Sequence, residues 1–147
     1  MDVNELIARA AEEEDKSYKF YMDAIDLTED AAAKIWLKEL AEEELKHKEM
    51  LQDFDNTKIT KFEPGEIQDL RITEFLTDKE VTDIKNFQDV LIVAMKKEQK
   101  AYNFYVSMAQ SSDSENMKSL CKFLAQEELK HKHKIELFYD EIIFREN

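Results

Sequence analysis

The sequence carries the motif Glu-x-x-His twice, as Glu44-Leu45-Lys46-His47 and Glu128-Leu129-Lys130-His131. Residues three apart on a helix share a face, so each motif presents a carboxylate beside an imidazole. Two further glutamates, Glu14 and Glu98, each stand one helix upstream of a motif. Carboxylate oxygens and neutral imidazole nitrogens are metal ligands, and no nucleophile or separate general acid accompanies them. All six residues fall where helical periodicity calls for an apolar side chain. Burying one ionised carboxylate costs several kcal/mol even after relaxation. Four together would rival the about 5–15 kcal/mol that stabilises a whole domain. No Arg or Lys shares the central seam positions to neutralise them. Two divalent cations would balance the four carboxylates, with each histidine bound neutral through one ring nitrogen. A donor set dominated by carboxylates suits iron or manganese better than zinc or copper.

The elements that must position these groups are four long segments with helical periodicity. The first spans about Asn4 to Leu27, with a stripe of Ile7, Ala10, Glu14, Tyr18, Tyr21 and Ile25. The second runs from a cap expected at Thr28 to about Phe54, through Leu37, Leu40, Glu44, His47 and Leu51. The third runs from about Phe87 to Gln110, with Asn86 as its cap and Leu91, Ala94, Glu98, Tyr102, Tyr105 and Ala109 as its stripe. The fourth is expected to open on a capping box, Ser112-Asp113-Ser114-Glu115, and to reach about Phe144. Its stripe is Met117, Leu120, Leu124, Glu128, His131, Ile135, Phe138 and Ile142.

Shifting the chain by 84 residues lays one hairpin on the other without a gap. Leu40–Lys48 and Leu124–Lys132 then agree at eight of nine positions. The same shift places Glu14, Tyr18, Phe20 and Tyr21 on Glu98, Tyr102, Phe104 and Tyr105. A duplicated hairpin implies a pseudo-twofold bundle whose equivalent residues face one another. The links within each hairpin are short, whereas residues 55–85 form a long connection holding Pro64-Gly65. A 25-residue helix is about 38 Å long, and thirty extended residues can cross that distance. Hairpins 4–54 and 86–145, joined by one long crossover, predict a single all-α domain over 1–147 with the ferritin-like four-helix arrangement.

Composition agrees. The 147 residues contain one Gly and one Pro, which excludes glycine-rich phosphate loops and makes sandwiches, barrels and doubly wound folds poor candidates. The formal net charge of −13 makes nucleic acid and anionic membrane surfaces poor partners. Cys121 is the single cysteine, so an intrachain disulfide or thiolate metal cluster is excluded. No signal-type segment and no run of about 18 apolar residues occurs, and a cytoplasmic location is the expectation.

On these residues the chain resembles the ferritin-like di-iron carboxylate proteins, and rubrerythrins most closely. Glu14 and Glu98 match the family's lone glutamates, and Glu44/His47 and Glu128/His131 match its Glu-x-x-His pairs. The resemblance implies two iron ions, bridged by Glu44 and Glu128, with Glu14, Glu98, His47 and His131 as terminal ligands. Manganese fits the same donors. The chain departs from rubrerythrins at Ala101, where they carry an extra ligand glutamate that takes part in ligand exchange during redox change. It also lacks the paired C-x-x-C motifs of a rubredoxin domain, so a separate electron-donor protein is expected. By the same analogy the protein is a homodimer.

Tyr18, Tyr21, Tyr102 and Tyr105 lie one or two turns beyond the lone glutamates. They read either as hydrogen-bond partners of ligand carboxylates or as aromatic core residues whose hydroxyls need a partner. Tyr21 and Tyr105 are favoured for the first role because they keep the stripe. His133 is off the stripe and reads as surface, Cys121 as a small buried apolar residue, and the Lys/Glu-rich outer faces as solvated helix. The end of the fourth segment, from Phe138 to Phe144, is expected to cover the crossover or a second subunit. Three functions fit: a redox enzyme acting on peroxide or dioxygen, an iron- or manganese-handling protein without turnover, and a metal-free helical interaction module. The redox enzyme is the leading expectation.

Overall fold

The computed structural model describes residues 2–55 and 84–146. Its elements are α1 (Val3–Ala24), a single 3-10 turn (Ile25–Leu27), α2 (Ala31–Gln52), α3 (Phe87–Ser111) and α4 (Glu115–Glu146). No strand occurs among the described residues, as the scarcity of turn formers requires. The expected crossover falls almost entirely on residues 56–83, outside the described residues. The chain divides into two compact units, residues 1–55 and 56–147, each containing one helical hairpin.

Local chemistry sets where each helix starts. The Asp2 side chain accepts from the Glu5 N–H and caps α1. The cap of α2 is Asp30, not Thr28: Asp30 Oδ1 accepts from the amides of Ala32 and Ala33, while the Thr28 hydroxyl accepts from the Asp30 N–H. An aspartate adds a negative charge at the positive end of the helix, which a threonine lacks. Asn86 caps α3 through the Asp89 N–H at 2.9 Å. Helix α4 begins two residues later than the expected capping box. The Ser114 hydroxyl takes the Met117 N–H, and Ser112 instead accepts from the Ser114 N–H, so Glu115 occupies the first turn and not the third helical position.

In the first unit, α1 and α2 are antiparallel neighbours and bury Ala10, Ala11, Tyr21 and Ala24 from α1 with Leu37, Leu40, Ala41 and Leu51 from α2. Small α1 residues allow close approach of the two helices. In the second unit, α3 contributes a broad apolar run, Val90 to Met95, and α4 contributes Met117, Leu120, Leu124 and Ile135. The end of α4 packs back on the start of α3. Phe138 meets the Phe87 ring edge-on with centroids 5.8 Å apart, and Gln88 Nε2 donates to the Tyr139 hydroxyl. These two aromatics therefore complete their own hairpin. Among the described residues no helix is long and apolar enough to cross a membrane.

Candidate metal centre

In the first unit, Glu14 projects from the buried stripe of α1, and Glu44 and His47 share one face of α2. None of the three is more than 3% exposed. His47 Nδ1 lies 3.6 Å from Glu14 Oε2 and 3.7 Å from Glu44 Oε1. One potential ligand atom from each residue lies within 4.8 Å of the other two. The second unit repeats this arrangement with Glu98 from α3 and Glu128 and His131 from α4. There His131 Nδ1 is 3.6 Å from Glu98 Oε1 and 3.9 Å from Glu128 Oε2. Glu128 and His131 are fully buried.

The separations carry chemical information. They are too long for hydrogen bonds, whose nitrogen–oxygen distance is about 2.7–3.2 Å. They fit two donors on one ion, because ligands about 2.1 Å from a common metal stand no more than roughly 4.2 Å apart. Glu14 Oε2, Glu44 Oε1, Glu98 Oε2, Glu128 Oε2 and His131 Nδ1 are buried atoms that make no hydrogen bond, although each residue has other polar interactions. Buried polar atoms are ordinarily satisfied, and an ion is one of the few things that explains two such atoms in one hairpin's cluster and three in the other's. Each half-site, with two carboxylates and one imidazole, thus fits a hard or borderline divalent cation.

Neighbouring residues sort by burial. Tyr21 and Tyr105 are buried, whereas Tyr18 and Tyr102 are half-buried. Phe20 meets Tyr21 edge-on with centroids 5.5 Å apart, and Phe104 meets Tyr105 in the same way at 5.6 Å. Cys121 is buried, its thiol directed at Met117 Sδ, and burial pushes the thiol pKa up to about 12. His133, expected at the surface, is half-buried with its Nδ1 covered. On the first hairpin Lys19 and Lys48 beside Asp15 hold its carboxyl below the usual carboxylate range.

Sequence reasoning missed Lys132 and Glu136. Both are fully buried, with Lys132 Nζ 4.0 Å from Glu136 Oε2 one turn along α4. Lys and Glu four apart read as a solvated pair, and only their closeness to the buried stripe at Ile135 hinted otherwise.

A rubrerythrin family model matches residues 58–139, more than half of the chain, and the chain belongs to that family of ferritin-like di-iron carboxylate proteins. Its fold class is accordingly all-α and ferritin-like. The match covers Glu98, Glu128 and His131, whereas Glu14, Glu44 and His47 lie ahead of it. No curated protein and no solved structure matches the chain. Family and geometry together are consistent with a metal site.

Proposed function

We propose that the protein is a non-haem di-iron carboxylate protein that reacts with peroxide or dioxygen, in the manner of rubrerythrin peroxide reduction or ferrous oxidation. The observation that carries this reading is the repetition, in each hairpin, of one buried cluster of two carboxylates and an imidazole. In this reading Glu14, Glu44 and His47 would hold one iron ion, and Glu98, Glu128 and His131 would hold the other. Iron bound by these residues would supply the electrons that reduce the oxidant. The chain supplies the rest. Four carboxylates neutralise the charge of two divalent ions, burial keeps bulk water from the donors, and the rigid helices fix their separations. In the same reading Tyr21 and Tyr105, buried on the same stripes, hydrogen-bond ligand carboxylates. A separate protein supplies electrons, and the functional unit is a homodimer in the cytoplasm.

One residue favours a second reading, in which the protein handles iron or manganese without turnover. Ala101, half-buried on α3, stands where rubrerythrins carry their additional glutamate. The deciding experiment is anaerobic iron loading with metal analysis, followed by peroxide addition with and without a supplied reductant. Two irons per chain and repeated peroxide reduction are expected. A single oxidation with no turnover selects the handling role, and failure to bind iron or manganese overturns both.

A further inference from the structure

The shift of 84 residues that aligns the hairpins reveals a charge that has moved. Asp15 directly follows Glu14 on α1, and Lys48 directly follows His47 on α2. Lys48 Nζ donates to Asp15 Oδ1 at 3.0 Å, bridging the two helices beside the half-site. In the second hairpin the lysine is retained as Lys132, but the acid has become Gln99, whose Nε2 donates along α3 to Asn103. Glu136, on the same helix as Lys132 and 4.0 Å from it, stands where the first hairpin has Gln52. The Asp15–Lys48 pairing is therefore not repeated at the aligned positions 99 and 132.

Asp15 and Lys48 are each about a quarter exposed. Solvent screens such a pair, so it adds little to global stability. It does tie α1 to α2 one residue along from Glu14 and from His47. Glu14 and His47 come from different helices, and their 3.6 Å approach depends on the register of α1 against α2. A metal site tolerates only about 0.5 Å of displacement in its donors. Asp15 is also 2.9 Å from Lys19, but that contact runs along α1 and ties no second helix.

We propose that Asp15 and Lys48 are positioning residues whose ion pair holds Glu14 beside His47 and so sets the metal affinity of the first half-site. The inference rests on the reading that Glu14, Glu44 and His47 hold a metal ion. Simple electrostatics predicts the opposite effect for one substitution, which makes the proposal testable. Removing the Lys48 charge takes a cation away from a cation site, and Coulomb's law alone then favours tighter binding. Loss of register favours weaker binding.

The test is Co(II) titration of the full chain, followed by visible absorption and by competition with a chelating indicator, in wild type and in the Lys48→Gln, Lys48→Arg and Lys19→Gln variants. Lys48→Gln is expected to weaken one of two Co(II) equivalents about 10-fold, the lower end of effects for residues that orient ligands. Its Co(II) absorption band should change, the other equivalent should be unaffected, and apo-protein melting should stay near wild type. Lys48→Arg should restore both affinity and spectrum, and Lys19→Gln should bind as wild type does. If Lys48→Gln binds both equivalents as tightly as wild type or tighter, or Lys19→Gln weakens binding equally, the positioning role is overturned while the metal-site reading stands. If wild type takes up no Co(II), the metal-site reading fails and this inference with it.

Discussion

His131 on α4 holds its Nδ1 3.6 Å from Oε1 of Glu98 on α3. The same distance separates His47 from Glu14 in the first hairpin, so each hairpin sets the spacing of its own donors. Both clusters lie on buried stripes of their hairpins, near Ala10, Ala11 and Leu40 in sequence for the first and Leu124, Ala125 and Ile135 for the second, all of them buried. Four carboxylates stand buried in the two clusters. Without a cation, ionised carboxylates buried close together are costly.

Replacing Glu44 and Glu128 by Gln should accordingly stabilise the metal-free protein. Each substitution removes a buried charge while keeping the shape, and a gain of about 1–3 kcal/mol per site is expected. That corresponds to roughly 3–10 °C in Tm for a chain of this size. Thermal unfolding followed by circular dichroism in the presence of a chelator measures it. Unchanged or lower melting in both variants would show that the carboxylates are already satisfied by protein groups.

Metal should reverse the order. An ion that binds only the folded protein adds about 2.7 kcal/mol at a free concentration a hundredfold above Kd. Wild type should melt higher with Mn(II) or anaerobic Fe(II), and a chelator should return it to the apo value. The Glu44→Gln/Glu128→Gln double variant should gain much less from the same metal. Equal gains in both proteins would place the binding elsewhere on the acidic surface.

Much of this site was legible in the sequence because charge broke the periodicity. Glu14, Glu44, Glu98 and Glu128 occupy positions that an apolar stripe requires, and all four prove buried. Their helices were equally legible, because each stripe keeps its phase for five or six turns. Helix starts were less so. Thr28 and Asp30 are both competent caps, as are Ser112 and Ser114, and the backbone path decides between them. Lys132 and Glu136 escaped notice for a different reason. Spacing of i, i+4 describes a solvated pair and a buried one equally well, and burial depends on packing that one helix's pattern does not contain.

That buried pair makes its own prediction. Glu136→Ala removes a carboxylate from beside the buried Lys132 and should destabilise the protein, by up to about 3–5 kcal/mol for a broken buried pair. Replacing both, as Lys132→Met/Glu136→Leu, should recover most of the loss. Urea unfolding of the two single variants and the double variant gives the coupling energy directly. Additive losses would mean that the two side chains act independently despite their proximity.

Cys121 supplies a prediction tied to pH. Burial raises its thiol pKa from 9.0 to about 12, so the folded state favours the neutral thiol. A raised folded pKa contributes stability that is complete below pH 9.0 and is lost as pH climbs from there to about 12. Cys121→Ser or Cys121→Ala should therefore flatten the decline in stability across that window. At pH 8 the folded thiolate fraction is about a thousandfold below that of the unfolded chain. Native protein should react with a thiol reagent at least about 100-fold more slowly than protein in denaturant. Labelling kinetics in buffer and in guanidinium check this, and equal rates in the two conditions would place Cys121 outside the core.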